Sequence, residues 1–289
     1  MYALLFAQQL IAASTHFVAK FANAGADPFT IVFLRGAITL AFFAVWFLPQ
    51  RKHLPRFDRA DLPLLVLLGA LNIPFNQVLF VSGLRYTVPA NAALAYALVP
   101  AFVLAIMVLF YREKTTVVKI VGIGIAFAGA LFILFERGID LRSEFFWGNM
   151  LELSAALSWA WFSILGKRLA VKYGALYATA LAMVSGMLWY TPLYGVLSTT
   201  VPSVVPLTAV GGMTWLYAAY LGIAVSVVGY FLWYYALARI PASNVAVFSN
   251  LQSVLVTAFS VMFLGEVPSV VFMIGAVCVI AGVVITQRG

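Results

Sequence analysis

Charged residues are scarce in this sequence. They make up 9% of its 289 residues, whereas hydrophobic residues make up 64%. A soluble domain carries roughly 25% charged residues, so this composition excludes an ordinary soluble fold and indicates that much of the surface faces lipid. The chain has one cysteine, Cys278, which excludes an intrachain disulfide and a cysteine-ligated metal site.

Catalytic signatures are missing as well. The sequence contains no His-Glu-x-x-His pair, no Gly-x-Ser-x-Gly elbow, no P-loop and no paired Asp-rich segment for Mg²⁺. We therefore predict no enzyme activity, no cofactor, no metal and no ATP hydrolysis by this chain. An intramembrane enzyme is the alternative from another class, and its catalytic group would have to come from His16, Lys20, Arg35 or Glu152.

Ten apolar segments can be marked off by charges, glycines and prolines. A membrane-spanning helix needs about 20 residues, so ten such helices use most of the chain and leave only short loops. The predicted spans are residues 3–21, 30–48, 62–81, 90–110, 117–135, 148–165, 175–197, 214–236, 244–263 and 269–286.

The net charge of +8 indicates an orientation rather than a nucleic-acid partner. Lys and Arg collect in cytoplasmic loops. With the N-terminus inside, most of them, including the group at 51–59, lie on the inner side. Both termini are therefore predicted to be cytoplasmic. The predicted partners are the lipid bilayer and a small-molecule substrate, and no nucleic acid.

An internal repeat is the most informative pattern. A shift of 153 positions superposes Gly69 on Gly222, Leu84 on Leu237, Asn91 on Asn244, Glu113 on Glu266 and Gly122 on Gly275. Chance would not readily align Asn, Glu and Gly at one offset, so we infer a duplication. Because five spans is an odd number, the second copy must be inverted, as in many secondary transporters. We predict an all-α membrane protein of ten transmembrane helices, built from inverted five-helix repeats at 1–137 and 146–289.

Three short motifs carry a family resemblance. Each repeat begins with a small-residue and aromatic helix that ends in Lys, at 12–20 and 158–167; Pro28-Phe29-Thr30 precedes Phe33-Leu34-Arg35; and Glu113 and Glu266 close helices four and nine. Together these motifs resemble the EamA-type ten-span branch of the drug/metabolite transporter superfamily. Helix seven departs from the pattern, because it has no arginine that matches Arg35.

The resemblance implies a bacterial inner-membrane protein that exports amino acids, aromatic ones included, or similar metabolites. The alternatives within the superfamily are a multidrug transporter and a sugar-phosphate transporter. The first would want a glutamate in helix one, and the second would want several cationic residues in the cavity. A monomer is the simpler default, because ten spans can enclose a site alone.

Polar and aromatic residues inside the spans are the candidate substrate contacts, since an ionisable group in a span is expensive. Arg35 can pair with Glu152, with a carbonyl or with a substrate carboxylate, and Trp159 is expected to line a cavity in preference to Trp161. The substrate-binding candidates are His16, Lys20, Arg35, Asn72, Asn76, Gln77, Tyr96, Glu152, Trp159, Ser163, Tyr230, Trp233, Tyr234, Asn250 and Gln252.

Four recurring residues are assigned structural roles instead. Asn91 and Asn244 each follow a proline closely at the start of a predicted helix, and we predict that both cap it. Glu113 and Glu266 lie between helices, where a carboxylate favours the positive N-terminus of the next helix.

Overall fold

The computed structural model describes residues 1–112, 116–134, 143–246, 248–265 and 269–288, and this part of the chain is helical with no strand. Its α-helices are α1 (Tyr2–Ala22), α2 (Pro28–Phe47), α3 (Leu62–Asn72), α4 (Leu79–Tyr86), α5 (Pro89–Ala97), α6 (Val99–Tyr111), α7 (Val117–Leu134), α8 (Glu144–Tyr173), α9 (Ala175–Thr200), α10 (Gly212–Tyr220), α11 (Tyr230–Leu237), α12 (Ala242–Ala246), α13 (Ser249–Phe259) and α14 (Val270–Arg288). Short 3₁₀ turns lie at Arg51–His53, Arg59–Asp61 and Leu207–Ala209.

Six helical stretches are long and apolar enough to cross a membrane: Tyr2–Ala22, Pro28–Phe47, Arg59–Tyr86, Pro89–Tyr111, Ala175–Thr200 and Gly212–Leu237. Shorter apolar helices lie at Val117–Gly129 and Val270–Gly282. The prediction of an all-helical, multi-span membrane protein is therefore confirmed. The count of ten spans and their inverted arrangement stay predictions.

Helix α2 shows how local sequence sets the depth of a key side chain. Asp27 caps it, with Oδ1 accepting from the backbone N–H groups of Phe29 at 2.9 Å and Thr30 at 3.1 Å. Pro28 occupies the first helical position, where its missing N–H costs nothing. With the start fixed there, Arg35 lies about 10 Å along the helix, given a rise of 1.5 Å per residue.

Three wider π-helical stretches interrupt the spans, at Ile73–Val78, Leu221–Gly229 and Ser260–Leu264. The first contains Pro74, which cannot donate a helical hydrogen bond and so favours a local change of winding. The first two carry Asn76 and Ser226. π-helical turns are rare and occur frequently at functional sites, and both of these segments lie beside the central cavity described below.

The end of α8 is fixed by a buried acid. The Asp61 carboxylate, with no exposed side-chain surface, accepts from Arg168 at 3.1 Å, Lys172 at 2.6 Å and the Tyr173 hydroxyl at 2.7 Å. Lys172 also donates to Asp58 at 2.9 Å, and this hydrogen bond holds the pKa of the Asp58 carboxyl below its ordinary value. The cluster joins the start of α3 to the end of α8.

Glycines permit the closest helix contacts. A Cβ at Gly69 on α3 would lie 2.6 Å from the carbonyl carbon of Ser185 and 2.7 Å from the amide nitrogen of Gly186, both on α9. A Cβ at Gly129 on α7 would lie 2.7 Å from the Gly275 carbonyl oxygen of α14. These distances are too short for any side chain, so both helix pairs depend on glycine for their separation.

Candidate functional site

A cavity with about 560 Å³ of empty space, which includes open solvent at its mouth, lies among α1, α2, α4, α5, α8, α11, α13 and the first two π-helical segments. On α1 its wall runs from Gln8 to His16, the middle of a helix that spans residues 2–22. The cavity therefore lies near the mid-length of α1.

The structure brings part of the predicted set together in the cavity wall. The predicted residues that line it are His16, Arg35, Asn76, Tyr96, Trp159, Tyr230, Trp233 and Gln252. The predicted residues outside its lining are Lys20, Asn72, Gln77, Glu152, Ser163, Tyr234 and Asn250. Substrate contact stays a prediction for every one of them.

Arg35 is the charged residue of the wall. Its side chain is buried, with 2% of the residue exposed, and its Nε donates to the Ser226 hydroxyl at 2.7 Å. The phenol of Tyr230 lies beside the guanidinium. Among the described residues, the ion pairs involve only Asp58 and Asp61 as acids. The pairing of Arg35 with Glu152 that the sequence allowed is not formed.

Two acceptor atoms on α1 have no hydrogen-bond partner. The Nδ1 of His16 lies 3.2 Å from the Ala12 carbonyl oxygen, which places the ring proton on Nδ1 and leaves Nε2 as a buried acceptor. The Nε2 of Gln9 donates to Gln8 at 2.7 Å, which leaves the Gln9 Oε1 buried and unpartnered. Residues seven apart share a helix face, so the two acceptors form one stripe on the cavity wall.

Asn76 is held in place by its own amide. Its Nδ2 donates to the Tyr96 hydroxyl at 2.7 Å and to the Ala155 carbonyl oxygen at 2.9 Å. The other two amides of this region, Asn72 and Gln77, lie behind the wall. Gln77 donates to Asn72 at 3.1 Å, and Asn72 donates to the Met183 sulfur at 3.3 Å.

Aromatic side chains of α8 and α11 form part of the cavity wall. The Trp159 ring lies 4.9 Å from that of Tyr230 and 5.6 Å from that of Trp233. The indole of Trp233 donates to Ser163 at 2.9 Å, so Ser163 orients the wall from outside it. Trp161 packs edge-on against Phe110 at 4.9 Å, away from the cavity lining.

Several predicted residues join helices instead. Lys20 donates to the carbonyl oxygens of Leu84 and Thr87, each at 2.7 Å, and so ties α1 to the C-terminal end of α4. Tyr234 stacks on Phe162 at 5.3 Å between ring centroids. Asn250 is half-buried at the start of α13.

The capping prediction for Asn91 is wrong. Val88 is the capping residue of α5, Pro89 is the first helical residue, and no side chain caps the helix. Asn91 lies inside the first turn instead. Its Nδ2 donates to the Asn149 Oδ1 at 3.3 Å and so links α5 to α8. Asn244 is within α12, and its side chain, like Glu113 and Glu266, lies outside the described part of the structure.

The sequence prediction missed several polar residues of the wall, among them Gln8, Gln9, Thr15 and Ser249. A signal existed for the first two, because adjacent glutamines in the middle of an apolar span need polar partners. Thr15 and Ser249 offered no such signal. Short hydroxyl side chains satisfy themselves on their own helix, as Thr15 does by donating to the Ile11 carbonyl at 3.1 Å.

A bundle of apolar helices around a polar and aromatic cavity is typical of a polytopic membrane protein. The sequence profile of the EamA-like transporter family matches residues 1–135 and again 146–288. The chain therefore belongs to the EamA-like transporter family, and the resemblance noted from its motifs is confirmed.

Individual relatives agree with the family. An uncharacterized transporter of Archaeoglobus fulgidus is 31% identical over 223 residues, 77% of this chain and 75% of that protein. A probable terminal-alkyne amino-acid exporter of Streptantibioticus cattleyicolor is 29% identical over 236 residues, 79% of this chain and 74% of that protein. A solved crystal structure at 21% identity covers 99% of this chain, and this chain covers 96% of it, with a TM-score of 0.69. It shows the shared fold.

Proposed function

We propose that this protein exports neutral amino acids, aromatic ones included, across the inner membrane of a bacterial cell. In this proposal the halves 1–137 and 146–289 are inverted repeats that expose the central cavity alternately to the two sides. The observation that carries the proposal is Arg35: a buried guanidinium in the wall of a cavity, with no carboxylate partner among the described residues. A substrate carboxylate supplies that partner.

The other polar groups of the wall complement the rest of a zwitterion. Arg35 offers only donors, whereas the free atoms of His16 and Gln9 are acceptors. A carboxylate at Arg35 and an ammonium at the α1 stripe would satisfy both. The indoles of Trp159 and Trp233 then offer a flat apolar surface to the substrate side chain, where stacked or edge-on aromatic contacts are favourable.

The composition of the wall weighs against the two alternatives, a sugar-phosphate transporter and a multidrug transporter. Within the described residues, Arg35 is the only Lys or Arg that lines the cavity, and a sugar phosphate would want several. None of the Asp and Glu residues that the structure describes lines the same cavity, so an organic cation would find no counter-charge among them. The Streptantibioticus relative, a probable amino-acid exporter, supports the same substrate class.

Equivalent close contacts at Gly69 and Gly222 support the proposal that the two halves are inverted repeats. Gly69 on α3 meets the backbone of α9, and its repeat partner Gly222 meets the backbone of α2, where a Cβ would lie 2.9 Å from the Arg35 carbonyl oxygen. Each contact joins the third helix of one half to the second helix of the other. Inverted copies are expected to repeat their contacts in this way.

Counterflow in proteoliposomes tests the substrate class. Vesicles preloaded with unlabelled phenylalanine should take up labelled phenylalanine, and a panel of neutral amino acids should compete, because each carries the same carboxylate and ammonium. A quaternary-ammonium dye and a hexose phosphate serve as comparison substrates. Counterflow of the dye or the sugar phosphate with none for any amino acid would overturn the proposal.

His16→Leu is expected to weaken binding of phenylalanine by about tenfold or more, because a hydrogen bond to a charged group contributes roughly 1.5–3 kcal/mol. 3-Phenylpropionate has the carboxylate and ring but no ammonium, so its binding should not change. His16→Gln, which keeps an acceptor, should recover part of the loss. Competition against labelled substrate measures all three, and an equal loss for both ligands would contradict the assignment of His16 to the ammonium.

A further inference from the structure

Glu152 is an acidic residue that the structure buries completely and leaves without a hydrogen-bond partner. It lies on α8 with 0% of its surface exposed, and neither carboxyl oxygen has a hydrogen-bond partner. It is not part of the cavity lining. Burying an ionised carboxylate without donors costs several kcal/mol, and the usual outcome is that the group takes up a proton. This packed environment therefore favours the neutral carboxyl over the carboxylate.

The surroundings of Glu152 come from three helices. The α4 helix presents Gly83, where a Cβ would lie 2.6 Å from the Glu152 Oε1, so the carboxyl occupies space that only glycine leaves open. The charged or titratable groups that face it are Lys20 from α1 and Tyr96 from α5. Lys20 places its ammonium on the carbonyl oxygens of Leu84 and Thr87, at the end of α4.

Glu152 lies behind the cavity wall, and its side chain is not part of the lining. Tyr96 lines the cavity, and its phenol lies within electrostatic reach of the Glu152 carboxyl. Asn76 joins the Tyr96 hydroxyl to the Ala155 carbonyl oxygen, which belongs to the turn of α8 that follows Glu152. A change in the charge of Glu152 therefore acts on residues that form the wall, although the substrate itself does not touch the carboxyl.

We propose that Glu152 is the proton-binding site that couples substrate export to the entry of a proton, an inference that rests on the proposed function. The carboxylate accepts one proton from water on one side of the membrane and returns it to water on the other side, so that only an O–H bond forms and breaks. The neutral carboxyl fits the packed conformation described above.

Ionisation would change the contact between α1 and α4. A Glu152 carboxylate attracts the Lys20 ammonium, the cation that acts on it electrostatically. Moving that ammonium toward Glu152 draws it away from the Leu84 and Thr87 carbonyls. Loss of these bonds loosens α1, the helix that carries His16 and Gln9, from α4. Lys20 therefore gives a second link, beside Tyr96 and Asn76, between proton release from Glu152 and rearrangement of the cavity wall.

Two transport assays separate coupling from binding. Counterflow at equal pH on both sides needs no net proton movement. A pH difference of about 1 unit, by contrast, can drive a substrate concentration ratio of up to roughly tenfold when one proton is exchanged per substrate. We expect Glu152→Gln, which mimics the neutral carboxyl, to keep counterflow and to lose the whole pH-driven accumulation. Glu144→Gln, an exposed position at the start of the same helix, is the matched control and should behave as the wild type.

The outcomes separate the two proposals. No amino-acid counterflow by the wild type would overturn the proposed function, whereas counterflow without pH-driven accumulation would overturn the proton site alone. Accumulation that survives in Glu152→Gln would also overturn it. If the Gln variant does not fold, infrared spectroscopy of the wild type decides. A carboxylic-acid C=O band at neutral pH is expected, with only nine Asp and Glu residues in the chain, and its absence would overturn the assignment.

Discussion

Arg35→Gln is expected to lower the affinity for neutral amino acids by roughly 30-fold or more, because removing one partner of a buried charge pair costs about 2 kcal/mol at least. Gln retains a donor but neither the charge nor the forked geometry that binds a carboxylate bidentately. Arg35→Lys should not restore affinity, because Lys cannot reproduce the Nε contact with Ser226 and the fork together.

The measurement is substrate competition in detergent or in proteoliposomes, with Arg85→Gln as the control. Arg85 is an exposed arginine at the end of α4, outside the cavity lining, so its loss removes the same charge from the chain but not from the site. An amino-acid amide, which lacks the carboxylate, should bind the wild type and the Arg35 variant equally weakly. Equal affinity for the free amino acid in both proteins would show that Arg35 does not bind it.

Gly69→Ala should lower the thermal stability of the protein strongly. The new methyl group would lie 2.6 Å from the carbonyl carbon of Ser185, and the α9 backbone cannot yield as a flexible side chain would. Helix α3 must then move away from α9. This movement also strains the hydrogen bond of 2.9 Å from the Ser185 hydroxyl to the Leu65 carbonyl. Overpacking of this kind typically costs about 1–3 kcal/mol.

The matched control is Gly124→Ala on α7, where a Cβ would meet nothing within 4 Å. Because Ala favours a helix over Gly by about 1 kcal/mol, this change should leave stability equal or slightly raised. Melting temperatures in the same detergent compare the two variants. If both glycine variants melt at the same temperature as the wild type, the α3–α9 contact is wider in solution than in this structure.

The helices themselves could be predicted from the sequence. Apolar runs of span length can only be helical in lipid, since every backbone group must find a partner within its own segment. The segments predicted at 30–48 and 175–197 correspond to Pro28–Phe47 and Ala175–Thr200. The ends were less certain because they depend on single capping residues. Asn91 shows this: its place after Pro89 suggested a cap, whereas Val88 occupies that position.

The site was predictable only in part, because helix periodicity fixes a face and not what that face meets. Asn72 and Asn76 are four residues apart, which predicts a shared face on a regular α-helix, yet the π-helical turn that begins at Ile73 changes the winding between them. Asn76 reaches the cavity, while Asn72 turns to Met183. Glu152 and Trp159 are seven residues apart on α8, which predicts a shared face, whereas the position of the carboxyl depends on the space that Gly83 leaves on a different helix.

The length of α8 links the protein to the thickness of its membrane. At 1.5 Å per residue its 30 residues extend for about 45 Å, well beyond a hydrocarbon core of about 30 Å. As the sixth span that the sequence predicts, α8 would have to tilt or protrude, which would carry its last turns, with Arg168 and Lys172 bound to Asp61, toward the headgroup layer. Because α8 carries both Trp159 and Glu152, we expect a thinner bilayer that changes its tilt to change the shape of the cavity.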